Sequence, residues 1–169
     1  MMTRILKVSF LVSLLALCAE SAGQSGFSWP LKMLHVNQGF GWRIHPLTKA
    51  PDFHNGIDLK ADFQPVFSIA DGQVINANSN ALSGNFIVIS HGKLLSHYAH
   101  LSRVLVSRQD SVFRGQLIGL SGNSGRTTGP HLHFALSFSG IELDGLKFLY
   151  ALAPSDAVLA DFAKPAKSH

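Results

Sequence analysis

From about residue 24 onward, short apolar stretches alternate with Gly, Pro, Asn and Asp, the pattern of strands and tight turns. Six stretches read as strands: 65–69, 73–75, 85–90, 94–98, 116–120 and 131–138. Asp71-Gly72 and His91-Gly92 stand between such runs as turn signals. A 3.6-residue period shows only weakly, over 144–162. The pattern predicts a mostly β fold: one small antiparallel domain with little helix. A faint internal echo accompanies it. Val66-Phe67 precedes Asp71-Gly72-Gln73-Val74-Ile75, and Val112-Phe113 precedes Gly115-Gln116-Leu117-Ile118, so each half reads as a strand, a tight turn and a second strand.

Length agrees with a single domain, since 169 residues leave no room for a second independent core. Only 14% of residues are charged, which argues against long disordered arms and coiled coils. The 14 Lys and Arg give a formal charge of +4 but form no basic run, so nucleic acid is not an expected partner. A weak positive balance instead favours loose association with an anionic envelope polymer.

Residues 1–23 read as a signal for export: Arg4 and Lys7 form the charged start, residues 8–18 are apolar, and small residues follow up to Gly23. The apolar run is shorter than the ~20 residues a membrane span needs. Cleavage near Gly23 predicts a periplasmic or extracellular protein starting at Gln24 and lacking the chain's one cysteine, Cys18. A lipid anchor on Cys18 is the lesser alternative, because Leu17 stands where a small residue is expected before an acylated cysteine.

Composition leaves one oddity, nine histidines against ten Asp and Glu. His54 and Asp58 flank Asn55-Gly56-Ile57, and His131 and His133 flank Leu132. On a strand, positions i and i+2 share a face, so His131 and His133 point together while Leu132 enters the core. A lone His-x-His is ordinarily a surface strand. Here the two motifs together supply His, Asp and His with a further His to spare, and catalytic zinc sites use three such ligands with one position left open. His100 adds another imidazole beside an apolar strand. His97 lies three positions earlier, so regular alternation predicts that it faces away from His100. A serine nucleophile elbow and a phosphate loop are both absent from the sequence.

Gly39-Phe40-Gly41-Trp42-Arg43, Phe53-His54-Asn55-Gly56-Ile57-Asp58-Leu59, Tyr98-Ala99-His100-Leu101, and 119–125 through Gly129-Pro130-His131-Leu132-His133-Phe134 resemble the lysostaphin-type (LytM-like) zinc endopeptidases. The motifs stand in family order between about Gly39 and Leu149. The resemblance implies a β-sandwich-like duplicated hybrid motif with an open groove, arranged as an N-terminal segment 24–38, a zinc peptidase domain 39–150 and a C-terminal extension 151–169.

It further implies one Zn2+ per chain on His54, Asp58 and His133, with His100 and His131 as catalytic histidines. His131 would take the proton of a water and His100 would steady the oxyanion, although the division between them stays open. The family's groove tyrosine has no counterpart between Trp42 and Asp58. Arg43 is expected either to hold the loop before His54 or to contact a substrate carboxylate, and Asn85 and the glycine-rich 121–129 loop to border the groove. His35, His45, His91, His97 and His169 match no ligand motif and are expected in surface or hydrogen-bonding roles.

The implied function is a secreted, monomeric metalloendopeptidase acting on peptidoglycan peptide stems or cross-links. The alternative is a non-catalytic relative whose groove binds and activates another wall hydrolase.

Overall fold

Residues 26–44 and 49–152 are described by a computed structural model. The expected export signal with Cys18, His45, His169 and the expected helical residues beyond 152 lie outside them. The described strands are β1 (Val36–Gln38), β2 (Gly41–Ile44), β3 (Pro51–His54), β4 (Ile57–Lys60), β5 (Pro65–Phe67), β6 (Gly72–Asn80) and β7 (Gly84–His91). After them come β8 (Leu94–Leu101), β9 (Arg103–Val104), β10 (Ser111–Val112), β11 (Leu117–Leu120), β12 (His131–Phe138) and β13 (Ile141–Leu143), then a helix α1 (Gly145–Leu152). Asp144 starts that helix, its Oδ1 accepting a hydrogen bond from the Leu146 amide at 3.1 Å.

Two units divide the chain. Residues 28–146 carry every described strand; in the other unit the rings of Phe27 and Phe148 meet edge-on at 5.2 Å.

Every strand pairing is antiparallel, as expected. The main sheet runs β1-β4-β12-β8-β7-β6-β10 with β13 added on β12; β5-β11-β9 form a second sheet and β2-β3 a separate ribbon. One face of the main sheet is apolar. Ile57 and Leu59 on β4, Leu132 and Phe134 on β12, Tyr98 and Leu101 on β8, and Ile87 and Ile89 on β7 are all fully buried. Side chains at the alternate positions of β4 and β12 therefore emerge on the other face, where Asp58, His131 and His133 lie.

The structure corrects the reading of the internal echo. Neither half is a hairpin, because β5 and β6 do not pair with each other, and neither do β10 and β11. The halves interlock instead: β5 pairs with β11 and β6 with β10. Asp71-Gly72 is a corner between two sheets, and the Asp71 carboxylate accepts the Arg114 amide of the other half at 2.7 Å. The second turn signal holds: the His91↔Leu94 pair encloses Gly92-Lys93, with Gly92 at φ 80°.

Candidate metal centre

His54 ends β3 and Asp58 lies in β4, so Asn55-Gly56 carries the chain from the two-stranded ribbon into the main sheet. In the β4–β12 register Asp58 sits directly opposite His133. This one pairing unites the two sequence motifs. Gly56 permits it: a Cβ there would collide with the His133 ring and the Phe134 carbonyl. The three donors lie close together, with His54 Nε2 3.1 Å from His133 Nδ1 and Asp58 Oδ1 2.9 Å from His133 Nδ1 and 3.2 Å from His54 Nε2.

These groups fit a cation. His54 Nδ1 lies 2.7 Å from the Gly39 carbonyl, which can only accept, so Nδ1 carries the proton and Nε2 of the neutral ring presents a lone pair. That lone pair faces a carboxylate oxygen at 3.2 Å, and two acceptors so close repel unless positive charge lies among them. Tetrahedral coordination at ~2.0–2.1 Å sets ligand atoms about 3.3 Å apart, near the separations found here. Burial raises the pKa of Asp58, but the adjoining His133 and His54 rings outweigh it and hold the carboxyl well below the usual carboxylate range.

His131 and His100 flank this group with ring centroids 4.7 Å apart. The Gly129 carbonyl accepts from His131 Nδ1 at 2.8 Å, and the Ser124 carbonyl accepts from His100 Nδ1 at 2.8 Å. Each ring thus keeps Nε2 as its acceptor when neutral. His131 Nε2 lies 3.6 Å from Asp58 Oδ1. Burial pulls the pKa of His100 down to about 4, against the opposing Ser124 hydrogen bond, so the ring is neutral at neutral pH.

His97 departs from expectation, since it lines the same depression as His100. Asn85 pairs with Leu101 and Ile87 with Tyr98, so β8 spends one residue more than β7 between those pairs. This is a β-bulge, and His100 within it takes φ 60°, which turns its side chain back to the face of His97. Side chains satisfy the groups that the bulge releases. The Leu101 carbonyl accepts from Ser124 Oγ at 2.7 Å and Asn85 Nδ2 at 3.0 Å, while the His100 amide donates to the Ser83 carbonyl at 2.8 Å. Gly84 and Gly125 bring the loop close, each at positive φ in space where a Cβ would strike the other segment. Burial lowers the His97 pKa to about 4, with His133 and His100 contributing.

Asn85 is among these pinning groups and does not line the depression. Arg43 does line it, with Nη1 3.5 Å from Asp58 Oδ2. His91 is hydrogen-bonded as expected, to the Asp71 carbonyl and Ser96 Oγ, both at 2.8 Å. The depression has a volume of about 410 Å³; Gln38, His97 and Glu142 line it along with Phe53, Arg126 and Thr128. Sequence reasoning missed His97 and Ser124, and only the run of small residues at 121–125 hinted at the close packing beside them.

A mostly antiparallel β domain with two histidines and an aspartate placed to hold a metal in an open depression defines a class of metal-binding site, not yet a family. The sequence profile of peptidase family M23 matches residues 52–144, and the chain belongs to that family. Peptidoglycan DD-endopeptidase ShyA of Vibrio cholerae is 43% identical over 115 residues, which are 67% of this chain and 27% of ShyA. DD-carboxypeptidase/endopeptidase Mpg of Neisseria meningitidis is 36% identical over 66% of this chain and 26% of its own length. The chain thus spans about a quarter of the length of these relatives. Among solved structures, a zinc-containing peptidase from Vibrio cholerae superposes with TM-score 0.67 and 34% identity over 77% of this chain and 40% of its own. The lysostaphin catalytic domain from Staphylococcus simulans gives TM-score 0.61 and 32% identity over 69% of this chain and 92% of that one.

Proposed function

We propose that this protein is an exported zinc metalloendopeptidase that hydrolyses peptide cross-links of bacterial peptidoglycan. The observation that carries the reading is the convergence of His54, Asp58 and His133 at about 3 Å, flanked by His100 and His131 with each Nδ1 engaged by a carbonyl. The substrate class is supported by ShyA, a peptidoglycan DD-endopeptidase by name, by Mpg, a DD-carboxypeptidase/endopeptidase by name, and by the positive charge of the chain. Export is supported by the charged, apolar and small-residue order of residues 1–23, and one monomeric chain holds a complete donor set.

His54, Asp58 and His133 would hold the zinc, which supplies Lewis acidity that activates water at neutral pH and polarises a carbonyl. The chain's own groups do the rest. His131 Nε2, 3.6 Å from Asp58 Oδ1, accepts the proton of the attacking water, since its Nδ1 is committed to Gly129. His131, protonated in that step, returns the proton to the leaving amine, while His100, with Nδ1 held by the Ser124 carbonyl, can donate to the developing oxyanion from Nε2 only in its protonated form. The open depression admits an extended peptide alongside β12.

Incubating the purified chain with sacculi of different cross-link types, with and without chelator, tests the proposal. Mass spectrometry is expected to find cross-linked muropeptides split into monomers, and chelation is expected to stop it. A zinc-free protein that leaves every sacculus intact would return the groove to a binding role.

A further inference from the structure

Arg43 occupies an unusual ribbon. On β2 and β3, the polar Arg43 and Asp52 are the less exposed cross-strand pair, while Trp42, Ile44 and Phe53 are exposed. The ribbon turns this charged pair toward the site and leaves Trp42 and Ile44 to solvent, the reverse of an ordinary amphipathic strand pair, with Phe53 at the edge of the depression. Its inward guanidinium has Nη1 3.5 Å from Asp58 Oδ2 and Nε 4.0 Å from Asp52 Oδ2. Both nitrogens are buried without a hydrogen-bond partner among the described residues, so these ion pairs are their polar neighbours. The two oxygens of Asp58 have separate surroundings: Oδ1 faces His133 at 2.9 Å, His54 at 3.2 Å and His131 at 3.6 Å, and Oδ2 faces Arg43.

We infer that Arg43 is a positioning residue that keeps Asp58 Oδ2 away from the metal site, so that Asp58 offers the metal one oxygen and leaves a position open for water. The inference rests on the metal-site reading above. A free carboxylate can supply both oxygens to one cation, and here a fixed positive charge competes for the second. Burial argues against Arg43 as a substrate carboxylate clamp, because Nε and Nη1 are closed off on the side of Asp52 and Asp58. A cation beside the ligand also repels the metal, so losing Arg43 leaves metal affinity unchanged or tighter while turnover falls.

The test compares the full chain with Arg43→Met and Arg43→Lys. Three readouts decide: Zn2+ affinity by competition with a chromophoric chelator, the visible band of the Co2+ form, and kcat and KM on sacculi. Arg43→Met is expected to lower kcat about 10- to 100-fold with KM little changed, the range for groups that orient metal ligands. Its Co2+ band is expected to weaken, as it does when coordination number rises, and Arg43→Lys should fall between. If Arg43→Met does not fold, Arg43→Lys alone decides, and wild-type kcat and spectrum there overturn the inference. So does a raised KM at unchanged kcat, the mark of a substrate clamp, or a joint fall of metal affinity and melting temperature that Lys does not rescue. If the wild-type chain binds neither Zn2+ nor Co2+, the metal-site reading fails and this inference with it; a metal-binding wild type whose variants keep its kcat and its Co2+ spectrum sinks the inference alone.

Discussion

Two neighbouring strands each deliver a pair of histidines to the depression, by opposite means. On β12, His131 and His133 are two positions apart and share a face because the strand is regular, with Leu132 fully buried between them. On β8, His97 and His100 are three positions apart and share a face only because a bulge with a left-handed residue breaks the alternation. The regular pair is carried by the sheet ladder and the core beneath it. The bulged pair depends on Ser124, Asn85 and Ser83, which belong to other segments. Accurate placement of a side chain therefore comes either from periodicity or from a network that pays for breaking it.

The comparison can be broken most severely at β12. His133→Ala is expected to lower turnover at least about a thousandfold, to the level of chelated protein, since a metal's contribution of several kcal/mol is worth that much. Muropeptide release and metal content of the variant check this. Leu132→Ala acts on the other face of the same strand. It should cost about 2–5 kcal/mol of stability by denaturant unfolding, with kcat of the folded fraction nearly unchanged.

Ser124→Ala strikes the bulged pair. It removes one donor to the Leu101 carbonyl and the acceptor of the Asn85 amide, and should cost about 1–3 kcal/mol. Turnover should fall about tenfold as His100 loses its fixed position, while the Zn2+ affinity set on β4 and β12 persists. Equal loss of metal binding would show that the two pairs are not separable.

The effect of pH is absent near neutrality and appears only on acidification. His97 and His100 have pKa values lowered from 6.5 to about 4 in the folded chain. Between those values the unfolded chain binds protons that the native chain does not, so stability of metal-free protein declines as pH falls from 6.5 toward 4 and is level above. Asp58 stays ionised in the native chain across that window. His97→Phe should flatten part of the decline, read as melting temperature against pH; an unchanged slope would remove His97 as a source.

How much of this was legible depended on whether local pattern decided it. The strands over 85–90, 94–98 and 131–138 were readable from alternation and β-branched content, and β7, β8 and β12 contain them. β1, β2 and β3 were not, because Val36–Gln38 is three residues long, and Gly41–Ile44 and Pro51–His54 carry polar inward and apolar outward positions. The interlocking of β5 with β11 and β6 with β10 was hidden because a strand does not encode its partner. Sequence position alone puts Asn85 at the groove, whereas its side-chain amide donates to the Leu101 carbonyl, a contact that exists only once the bulge has formed.

By itself the sequence determined the donors and their local spacing: His54 and Asp58 around a glycine, His131 and His133 around a core leucine, and a mostly antiparallel β chain. Those follow from bond geometry within a few residues, where periodicity of two dictates the face. Only the tertiary structure decided that Asp58 meets His133, that His97 joins His100, and that Arg43 claims the second oxygen of Asp58. Those depend on register, on a bulge and on one ion pair, and each is set by how one segment packs against another, which the periodicity within either segment does not encode.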